Sequence, residues 1–249
     1  ELLELAGQDG VEARFIQDKA GQWVLRHGPL ARRSLPSLAT PCWTALVQGV
    51  DLHNDAVHAL LQQFRFVPEA RLDDLMISYA TDGGGVGPHF DNYDVFLLQG
   101  TGRRRWQIAD QADRSLIEDA PLRILKNFQP SADWVLEPGD MLYLPPHWAH
   151  NGTAMGECTT YSIGFRSPSA QELGTEFLAW MQERIELEGI YTDPDLTLQQ
   201  NSAEIGTRMV EQIETMLAAI RWGREDVKAF VGAYLSEPKS HIFFDPPQQ

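Results

Sequence analysis

The pattern of apolar and polar positions divides the chain into two parts with different periods. Up to about residue 169, short apolar or alternating runs are interrupted by Gly, Pro, Asp and Asn, as expected of strands joined by turns. The predicted strands are Ala13 to Ile16, Trp23 to Arg26, Leu75 to Tyr79, Tyr93 to Leu98, Arg104 to Ile108, Asp140 to Leu144 and Thr159 to Phe165. One helix is predicted from Trp43 to Phe64, where apolar residues recur at helical spacing, namely Leu46, Val47, Val50, Leu60 and Leu61. Many short strands with regular turns indicate a mainly β fold of the sandwich, barrel or jelly-roll type.

The second part has the longer period of amphipathic helices. Ser169 is predicted to be an N-cap, and the apolar stripe after it ends before Gly189 and consists of Leu173, Phe177, Leu178, Met181 and Ile185. A linker from Tyr191 to Asp195 follows, and further helices are predicted from about Ala203 to Trp222 and from Glu225 to Leu235. Such helices either offer a surface to a partner or a second copy, or simply cover the sheet, and the sequence leaves both readings open.

Composition narrows the classes of protein that fit. Hydrophobic residues make up 43% and charged residues 22%, which is ordinary for a globular chain. The net charge of −15 argues against non-specific binding to nucleic acid and favours a basic partner, although acidity for solubility alone is an equal alternative. Cys42 and Cys158 lie far apart and predict neither a disulfide framework nor a zinc site. With no signal-like or membrane-spanning run, we expect a cytoplasmic protein with no membrane contact.

The passage from Gly83 to Asp91 places a histidine and a carboxylate two residues apart after a run of glycines. On a strand, positions i and i+2 point to the same side, so His89 and Asp91 are able to present an imidazole nitrogen and a carboxylate oxygen to one ion. Alone, this pair is weak evidence, because it arises by chance and a single histidine on a strand is usually just hydrogen-bonded.

A second passage, from Glu137 to His150, strengthens the metal-site interpretation. A Pro-Gly-Asp turn leads into an apolar strand, and a proline-rich bend then ends in another imidazole. Two histidines and one carboxylate on a β scaffold form the facial triad of non-haem Fe(II) oxygenases, which leaves positions open for a co-substrate and dioxygen. His150 is favoured over His147 as the third ligand, since His147 lies within the bend itself and a ligand needs a fixed backbone and supporting hydrogen bonds.

The strand that begins near Arg103 supplies a candidate cation for 2-oxoglutarate, the co-substrate that such an iron centre needs. Arg104 shares its face with Trp106 and Ile108, so its side chain is predicted to point inward. A buried guanidinium requires a paired anion, and a carboxylate satisfies its planar fork. An internal salt bridge to Asp or Glu is the alternative. Weaker hydroxyl candidates for the same co-substrate are Ser78 and either Tyr161 or Ser162.

Four passages together resemble the JmjC oxygenases, and more closely the bacterial ribosomal oxygenase family. They are DDLMIS from Asp73 to Ser78, GGGVGPHFDNYDVFLLQGTGRRRW from Gly83 to Trp106, EPGDMLYLPPHWAH from Glu137 to His150, and YSIGFR from Tyr161 to Arg166. The resemblance covers most of the chain up to about residue 168. The family's iron ligands fall on His89, Asp91 and His150, and its 2-oxoglutarate-anchoring arginine falls on Arg104.

This resemblance also implies an architecture. Residues 1–168 are expected to form a JmjC double-stranded β-helix, which is a jelly roll of the cupin type, and residues 169–249 a helical dimerisation region. Members of the family carry a further C-terminal winged-helix domain, for which this chain has no room. Because the chain begins at Glu1 rather than Met, we expect it to be a piece of a longer protein.

The activity implied by the resemblance is hydroxylation of the β-carbon of an arginine in a large-subunit ribosomal protein, number sixteen of the bacterial set. Such a partner is basic, which would give the acidic net charge a role in encounter. An arginine substrate predicts an acidic lining, with Asp82 and Asp94 as candidates unless they are solvated turn residues. Two alternatives remain. One is the same chemistry on another target, such as methyl-lysine demethylation or small-molecule hydroxylation; the other is a non-catalytic cupin that binds metal or a small ligand.

Overall fold

The computed structural model describes residues 1–194, 197–198 and 200–237 of the 249 in the chain. Within this range the chain divides into two compact units, Glu1–Ser167 and Pro168–Glu237. The division predicted from the sequence, into 1–168 and 169–249, stays a prediction for the whole chain because residues 238–249 lie outside the described range. Asp195, at the end of the predicted linker, lies outside it as well.

The first unit is mainly β, as the turn-rich pattern predicts. Its strands are β1 (Ala13–Lys19), β2 (Gln22–His27), β3 (Trp43–Val47), β4 (Leu72–Ala80), β5 (Val95–Gln99), β6 (Arg103–Ala109), β7 (Ala132–Leu136), β8 (Met141–Leu144), β9 (Ala149–Met155) and β10 (Cys158–Phe165). In the described unit they form two antiparallel sheets, one of seven strands in the order β2-β1-β3-β4-β10-β5-β8 and one of three in the order β7-β6-β9. Two helices, α1 (Leu2–Leu5) and α2 (Asp55–Gln62), accompany them.

The predicted helix from Trp43 to Phe64 is wrong over its first part. Residues Trp43–Val47 form β3, which is buried along its whole length and pairs with β1 on one side and β4 on the other. A run of consecutive buried residues shows no alternation, so the sequence alone cannot separate a central strand from a buried helix. The helix α2 begins only at Asp55, where the Asn54 side chain accepts hydrogen bonds from two backbone N–H groups.

Two strands of the small sheet have no counterpart among the predicted strands. β7 is an edge strand, and its residues are half-buried or exposed without a clear alternation. β9 contains Gly152, over which the Trp106 ring packs so closely that an added Cβ would lie 2.7 Å from it. Neither strand shows the β-branched, alternating pattern that sequence analysis depends on. The segment from His89 to Asp91 is also not a regular strand, and it is joined to the sheet by a single bridge between His89 and His150.

The large sheet buries a different set of residues on each face. One face packs with α1 and α2 in the main hydrophobic core, which includes Phe15, Trp43, Leu75 and Ile163. The other face meets the small sheet, where Val95, Leu97 and Leu144 contact Trp106 and Ile108. Since side chains alternate along a strand, each central strand contributes to both layers. The space between the two sheets is where the functional side chains meet.

The second unit is helical, as predicted. Its helices are α3 (Ala170–Gln182), α4 (Thr207–Leu217) and α5 (Arg224–Ser236). The predicted N-cap is confirmed, because Ser169 and Glu172 form a reciprocal capping box at the start of α3. Aromatic rings from α3 and α5, including Phe177, Trp180 and Phe230, form the centre of this unit. Over the residues described here, no helix has both the length and the apolar character required to cross a bilayer.

Candidate metal and co-substrate site

Three side chains that the sequence places far apart converge at the small sheet. His89, Asp91 and His150 each offer a ligand atom, and these atoms all lie within 4.8 Å of one another. The Asp91 carboxylate oxygen Oδ2 is 4.0 Å from Nε2 of His89 and 3.7 Å from Nε2 of His150. Two imidazoles and one carboxylate in this arrangement match the ligand set of a mononuclear Fe(II) centre with open positions.

Backbone hydrogen bonds fix the two histidines against each other. The His89 N–H donates to the His150 carbonyl at 3.0 Å, and the His150 N–H donates back to the His89 carbonyl at 2.8 Å. The glycine run makes this approach possible, because a Cβ on Gly85 would lie 2.4 Å from the Gly152 carbonyl oxygen. Gly87 follows with a φ of +80°, a conformation that side chains other than glycine rarely adopt. The run therefore allows both the close packing and the backbone conformation of the metal segment.

Both imidazoles present the same nitrogen to the centre of the triad. Nδ1 of His89 is 2.9 Å from the Gly87 carbonyl, and Nδ1 of His150 is 3.0 Å from the Trp148 carbonyl. With the Nδ1 protons donated to these carbonyls, both Nε2 lone pairs are left for an ion. Burial, together with the nearby His89, lowers the pKa of His150 to about 3, so its imidazole is neutral at physiological pH. A neutral imidazole is the form that binds a metal.

His147 is placed away from the triad, as the sequence analysis favoured. Its side chain is exposed, its φ is +69°, and its backbone N–H donates to the Asp91 carbonyl at 2.7 Å. The residue therefore ties the bend to the metal segment through its backbone, and among the described residues its side chain is not part of the cluster of candidate ligands.

The inward orientation predicted for Arg104 is confirmed. Along β6 the residues alternate between exposed and buried, and Arg104 is 4% exposed while Arg103 and Arg105 are on the surface. Within the described chain no carboxylate lies within 4 Å of Arg104, so the internal salt bridge considered as the alternative is not formed there. Its Nη2 instead lies 3.6 Å from the Cys158 sulfur, and its Nε is buried without a hydrogen-bond partner in residues 1–194, 197–198 and 200–237.

Arg104 and the triad line the same cavity, which has a volume of about 620 Å³. Its wall on the small sheet also includes Trp106, whose buried indole N–H, like Nε of Arg104, has no partner among the described residues. Unpartnered buried donors are rare in folded proteins because each one carries a desolvation cost. Two such donors beside a metal-binding triad fit an oxygen-rich anion that supplies the missing acceptors.

The hydroxyl candidates divide between the two faces of the sheet. Ser78 and Ser162 line the cavity, whereas Tyr161 packs into the main hydrophobic core on the opposite face. Thr160, which the sequence analysis missed, also lines the cavity and donates a 3.1 Å hydrogen bond to the buried Gln99 side chain. The sequence signal that indicates Thr160 is its position two residues before Ser162, which places both side chains on the same face of a strand.

The two acidic candidates for substrate recognition lie away from the cavity lining. Asp82 is exposed and accepts a hydrogen bond from the Gly156 N–H, and Asp94 binds Arg71 and the Tyr143 hydroxyl. Different acidic side chains line the cavity, namely Glu12, Asp73, Asp74 and Asp91. Of these, Asp74 also accepts a 2.8 Å hydrogen bond from the Gly49 N–H. The sequence expectation of an acidic lining is met, but by other residues.

Comparison with known proteins agrees with this geometry. A family signature described as a JmjC domain matches residues 59–173. The chain carries a JmjC domain. The resemblance and the jelly-roll fold of the cupin type predicted from the sequence are therefore confirmed.

Relatives of this JmjC protein include two bacterial proteins with curated names. The "Ribosomal protein uL16 3-hydroxylase" of Escherichia coli (strain K12) is 36% identical over 250 residues, which cover 100% of this chain and 66% of the relative. A "Probable ribosomal oxygenase" of Haemophilus influenzae is 34% identical over 88% of this chain and 53% of the relative. The chain thus spans between about half and about two thirds of the length of these relatives.

A solved structure also matches nearly the whole JmjC protein. The structure of YcfD, a ribosomal oxygenase from Escherichia coli, in complex with cobalt and 2-oxoglutarate, aligns with a TM-score of 0.81 at 34% identity. The alignment covers 99% of this chain and 65% of that one. The likeness therefore extends over both compact units of this chain.

Proposed function

We propose that this JmjC protein is an Fe(II)- and 2-oxoglutarate-dependent oxygenase that hydroxylates the β-carbon of an arginine in ribosomal protein uL16. The observation that carries the proposal is the convergence of His89, Asp91 and His150 with an unpaired, buried Arg104 in one cavity. The similarity to a uL16 3-hydroxylase, and to an oxygenase that binds cobalt and 2-oxoglutarate, supports the choice of co-substrate and target.

In this proposal the three ligands hold the ion and Arg104 orients the co-substrate. The Arg104 guanidinium forms charge-assisted hydrogen bonds to the carboxylate of 2-oxoglutarate that lies away from the metal. Ser78 and Ser162 add polar contacts on the floor of the cavity. A ferrous ion bound there supplies the redox chemistry by which dioxygen converts a substrate C–H bond to C–OH while 2-oxoglutarate is oxidised to succinate and carbon dioxide.

An arginine substrate fits the charge of the cavity. Asp73 and Asp74 lie on β4 and line the cavity together with the ligand Asp91 and with Glu12. Carboxylates arranged around a guanidinium give both charge attraction and directed hydrogen bonds. The net charge of −15 extends this attraction to long range, which suits a basic ribosomal protein and disfavours direct binding to nucleic acid.

The test supplies the chain with Fe(II), 2-oxoglutarate, dioxygen and purified uL16, and measures succinate together with the mass of each arginine-containing peptide. We expect succinate formation coupled to the gain of one oxygen atom on a single arginine. His89→Ala should abolish both signals, while His58→Ala, which changes an exposed histidine on α2, should leave both unchanged. If a different protein in a mixture of ribosomal proteins gains the oxygen atom, that protein replaces uL16 as the proposed substrate.

The same assay separates the two alternatives. Loss of methyl groups from a methyl-lysine peptide would favour a demethylase. Stoichiometric iron binding without turnover of any substrate would favour a non-catalytic cupin.

We also propose that the helical unit forms a homodimer, as the family resemblance implies. The helix α4 has no buried residue in the described chain, although it carries an apolar stripe of Met209, Val210, Ile213 and Leu217. A large exposed apolar face is unusual in a monomer, and a second copy would cover it. Ile213→Glu is expected to convert a dimer to a monomer in light-scattering chromatography, whereas Glu211→Gln on the same helix should have no effect. A wild-type chain that is monomeric at micromolar concentration would refute this proposal.

A cytoplasmic location follows from the proposed substrate, because ribosomal proteins are made and assembled there. Cys42 and Cys158 are both free thiols, which is compatible with a reducing compartment.

A further inference from the structure

The cavity extends beyond the metal triad and Arg104 to the strands β1, β2 and β3. Here it is lined by side chains that neither metal binding nor co-substrate binding uses, including Arg14, His27, Leu46 and Gln48. The two faces of β1 differ in environment, because Ala13 and Phe15 belong to the main hydrophobic core while Glu12, Arg14 and Ile16 line the cavity. A charged side chain, Arg14, thus lies on the cavity face of β1 between two residues, Ala13 and Phe15, that point into the main hydrophobic core.

Arg14 is held in place but is not paired with a carboxylate. Among the described residues its side chain makes one hydrogen bond, from Nη2 to the Gln48 side-chain oxygen at 3.4 Å, and no carboxylate there lies within 4 Å of it. Its Nε is buried and has no hydrogen-bond partner in the described part of the chain. A guanidinium has only donors to offer, so this N–H can be satisfied only by an acceptor that enters the cavity. An unpaired donor of this kind costs stability in the free protein, which indicates a binding role rather than a structural one.

The strand register places Arg14 apart from the co-substrate end of the cavity. Arg14 pairs with Leu46, Leu46 with Ser78, and Ser78 with Thr160, so these four residues form one row across four strands. Adjacent strands are roughly 4.8 Å apart, which separates the backbones of Arg14 and Thr160 by roughly 14 Å. Arg104 lies at the far end of this row, against Cys158 on the same strand as Thr160. The two arginines therefore serve different parts of the bound ligands.

We propose that Arg14, oriented by Gln48, is a second recognition point that binds an oxygen acceptor of the polypeptide substrate beside the residue that is hydroxylated. This inference rests on the proposed function. The acidic side chains of the cavity, Asp73 and Asp74, suit the guanidinium of the target arginine, whereas Arg14 suits only oxygens. Both a main-chain carbonyl and an acidic side chain of the substrate have this chemistry. A contact outside the target side chain would fix the register of the polypeptide, so that one arginine among many is presented to the metal.

The test compares wild type with Arg14→Met, which keeps the length of the side chain and removes its donors, and with Arg103→Met as a matched control. Arg103 is exposed on β6 outside the cavity lining, so its replacement removes the same charge without changing the cavity. Three quantities are measured on each variant: the kinetic constants for uL16, the dissociation constant for 2-oxoglutarate in the manganese-loaded protein, and the thermal midpoint.

For Arg14→Met we expect the KM for uL16 to rise about tenfold or more, equivalent to about 1.4 kcal/mol. The kcat and the affinity for 2-oxoglutarate should stay within about twofold of wild type. The thermal midpoint should stay within about one degree of wild type or should rise, because an unpaired donor has been removed. Arg103→Met should match wild type in all three measurements.

Other results would overturn the inference in distinguishable ways. An unchanged KM in an active Arg14→Met enzyme would reject a role in substrate binding, and a loss of 2-oxoglutarate affinity would make Arg14 part of the co-substrate site instead. A wild-type chain that does not act on uL16 would overturn the proposed function and this inference with it. A uL16 peptide whose carboxylates are replaced by carboxamides identifies the acceptor: if the effect of Arg14→Met disappears, the acceptor is an acidic side chain, and if it persists, the acceptor is a main-chain carbonyl.

Discussion

Replacing Arg104 by methionine separates two effects of this buried charge, namely its destabilisation of the ligand-free fold and its contribution to 2-oxoglutarate binding. Arg104 is 4% exposed, has no carboxylate partner among the described residues, and keeps Nε buried and unsatisfied. Methionine retains most of the length of the side chain and removes all its donors. The variant should therefore bind 2-oxoglutarate much more weakly and should nevertheless fold at least as well as the wild type.

The expected changes in affinity and in stability follow from comparing the Arg104 guanidinium in the protein that binds 2-oxoglutarate with the same group in the ligand-free protein. Each hydrogen bond to a charged group contributes about 1.5–3 kcal/mol, so loss of a bidentate pair costs about 3–6 kcal/mol of binding. That corresponds to a fall in 2-oxoglutarate affinity of roughly 10²- to 10⁴-fold. In the ligand-free protein, exchange of buried charges for apolar side chains is often neutral or stabilising by about 1–4 kcal/mol. At about 2–4 °C per kcal/mol for a chain of this size, the thermal midpoint should be unchanged or should rise by several degrees.

The assay is calorimetric titration of 2-oxoglutarate into anaerobic, manganese-loaded protein, with thermal unfolding measured without ligand. Arg105→Met is the matched control, because Arg105 is the next residue of β6, points to solvent and pairs with Asp133 on the surface. It should change both quantities little. The reasoning would be refuted if Arg104→Met bound 2-oxoglutarate like wild type. A marked loss of stability in the ligand-free variant would instead mean that Arg104 is a structural residue.

Two further predictions concern the metal site and the small sheet. His150→Ala should lose stoichiometric binding of cobalt, which is measured by the visible absorption of the bound ion. His147→Ala should retain this binding, because the His147 side chain is exposed outside the triad. Equal loss of cobalt binding in both variants would reject His150 as the specific ligand. Gly152→Ala should destabilise the protein by about 1–3 kcal/mol in urea unfolding, because the new Cβ would lie 2.7 Å from the Trp106 ring. Gly174→Ala, in the middle of α3 with no atom within 4 Å of the added Cβ, should instead stabilise by about 0.5–1 kcal/mol. A Gly152→Ala variant as stable as wild type or more stable would contradict the close packing of Trp106 on Gly152.

Local sequence determined the features whose evidence lies within a few residues. The alternation along β6 was sufficient to turn Arg104 inward, because side chains on a strand alternate whatever the neighbours are. The N-cap at Ser169 and the helical stripe that includes Phe177 and Met181 were likewise predicted from neighbouring residues, although Leu178 of that predicted stripe is 64% exposed. The metal triad was predicted from motif and resemblance together, although the segment from His89 to Asp91 is not the strand that was assumed.

Tertiary structure decided what depends on pairing between distant strands. The run from Trp43 to Val47 became a strand because β1 and β4 flank it, and its uniform burial carries no period from which that could be seen. The cavity floor was also beyond the sequence, since Thr160 and Arg14 share a row with Ser78 only through the register of four strands. Asp82 and Asp94 were candidates either for substrate recognition or for solvated turn positions, and neither lines the cavity, whereas Asp73 and Asp74 do. A residue's type and spacing fix the face on which it lies; only the folded sheet fixes what stands opposite, and the chemistry of this site depends on both.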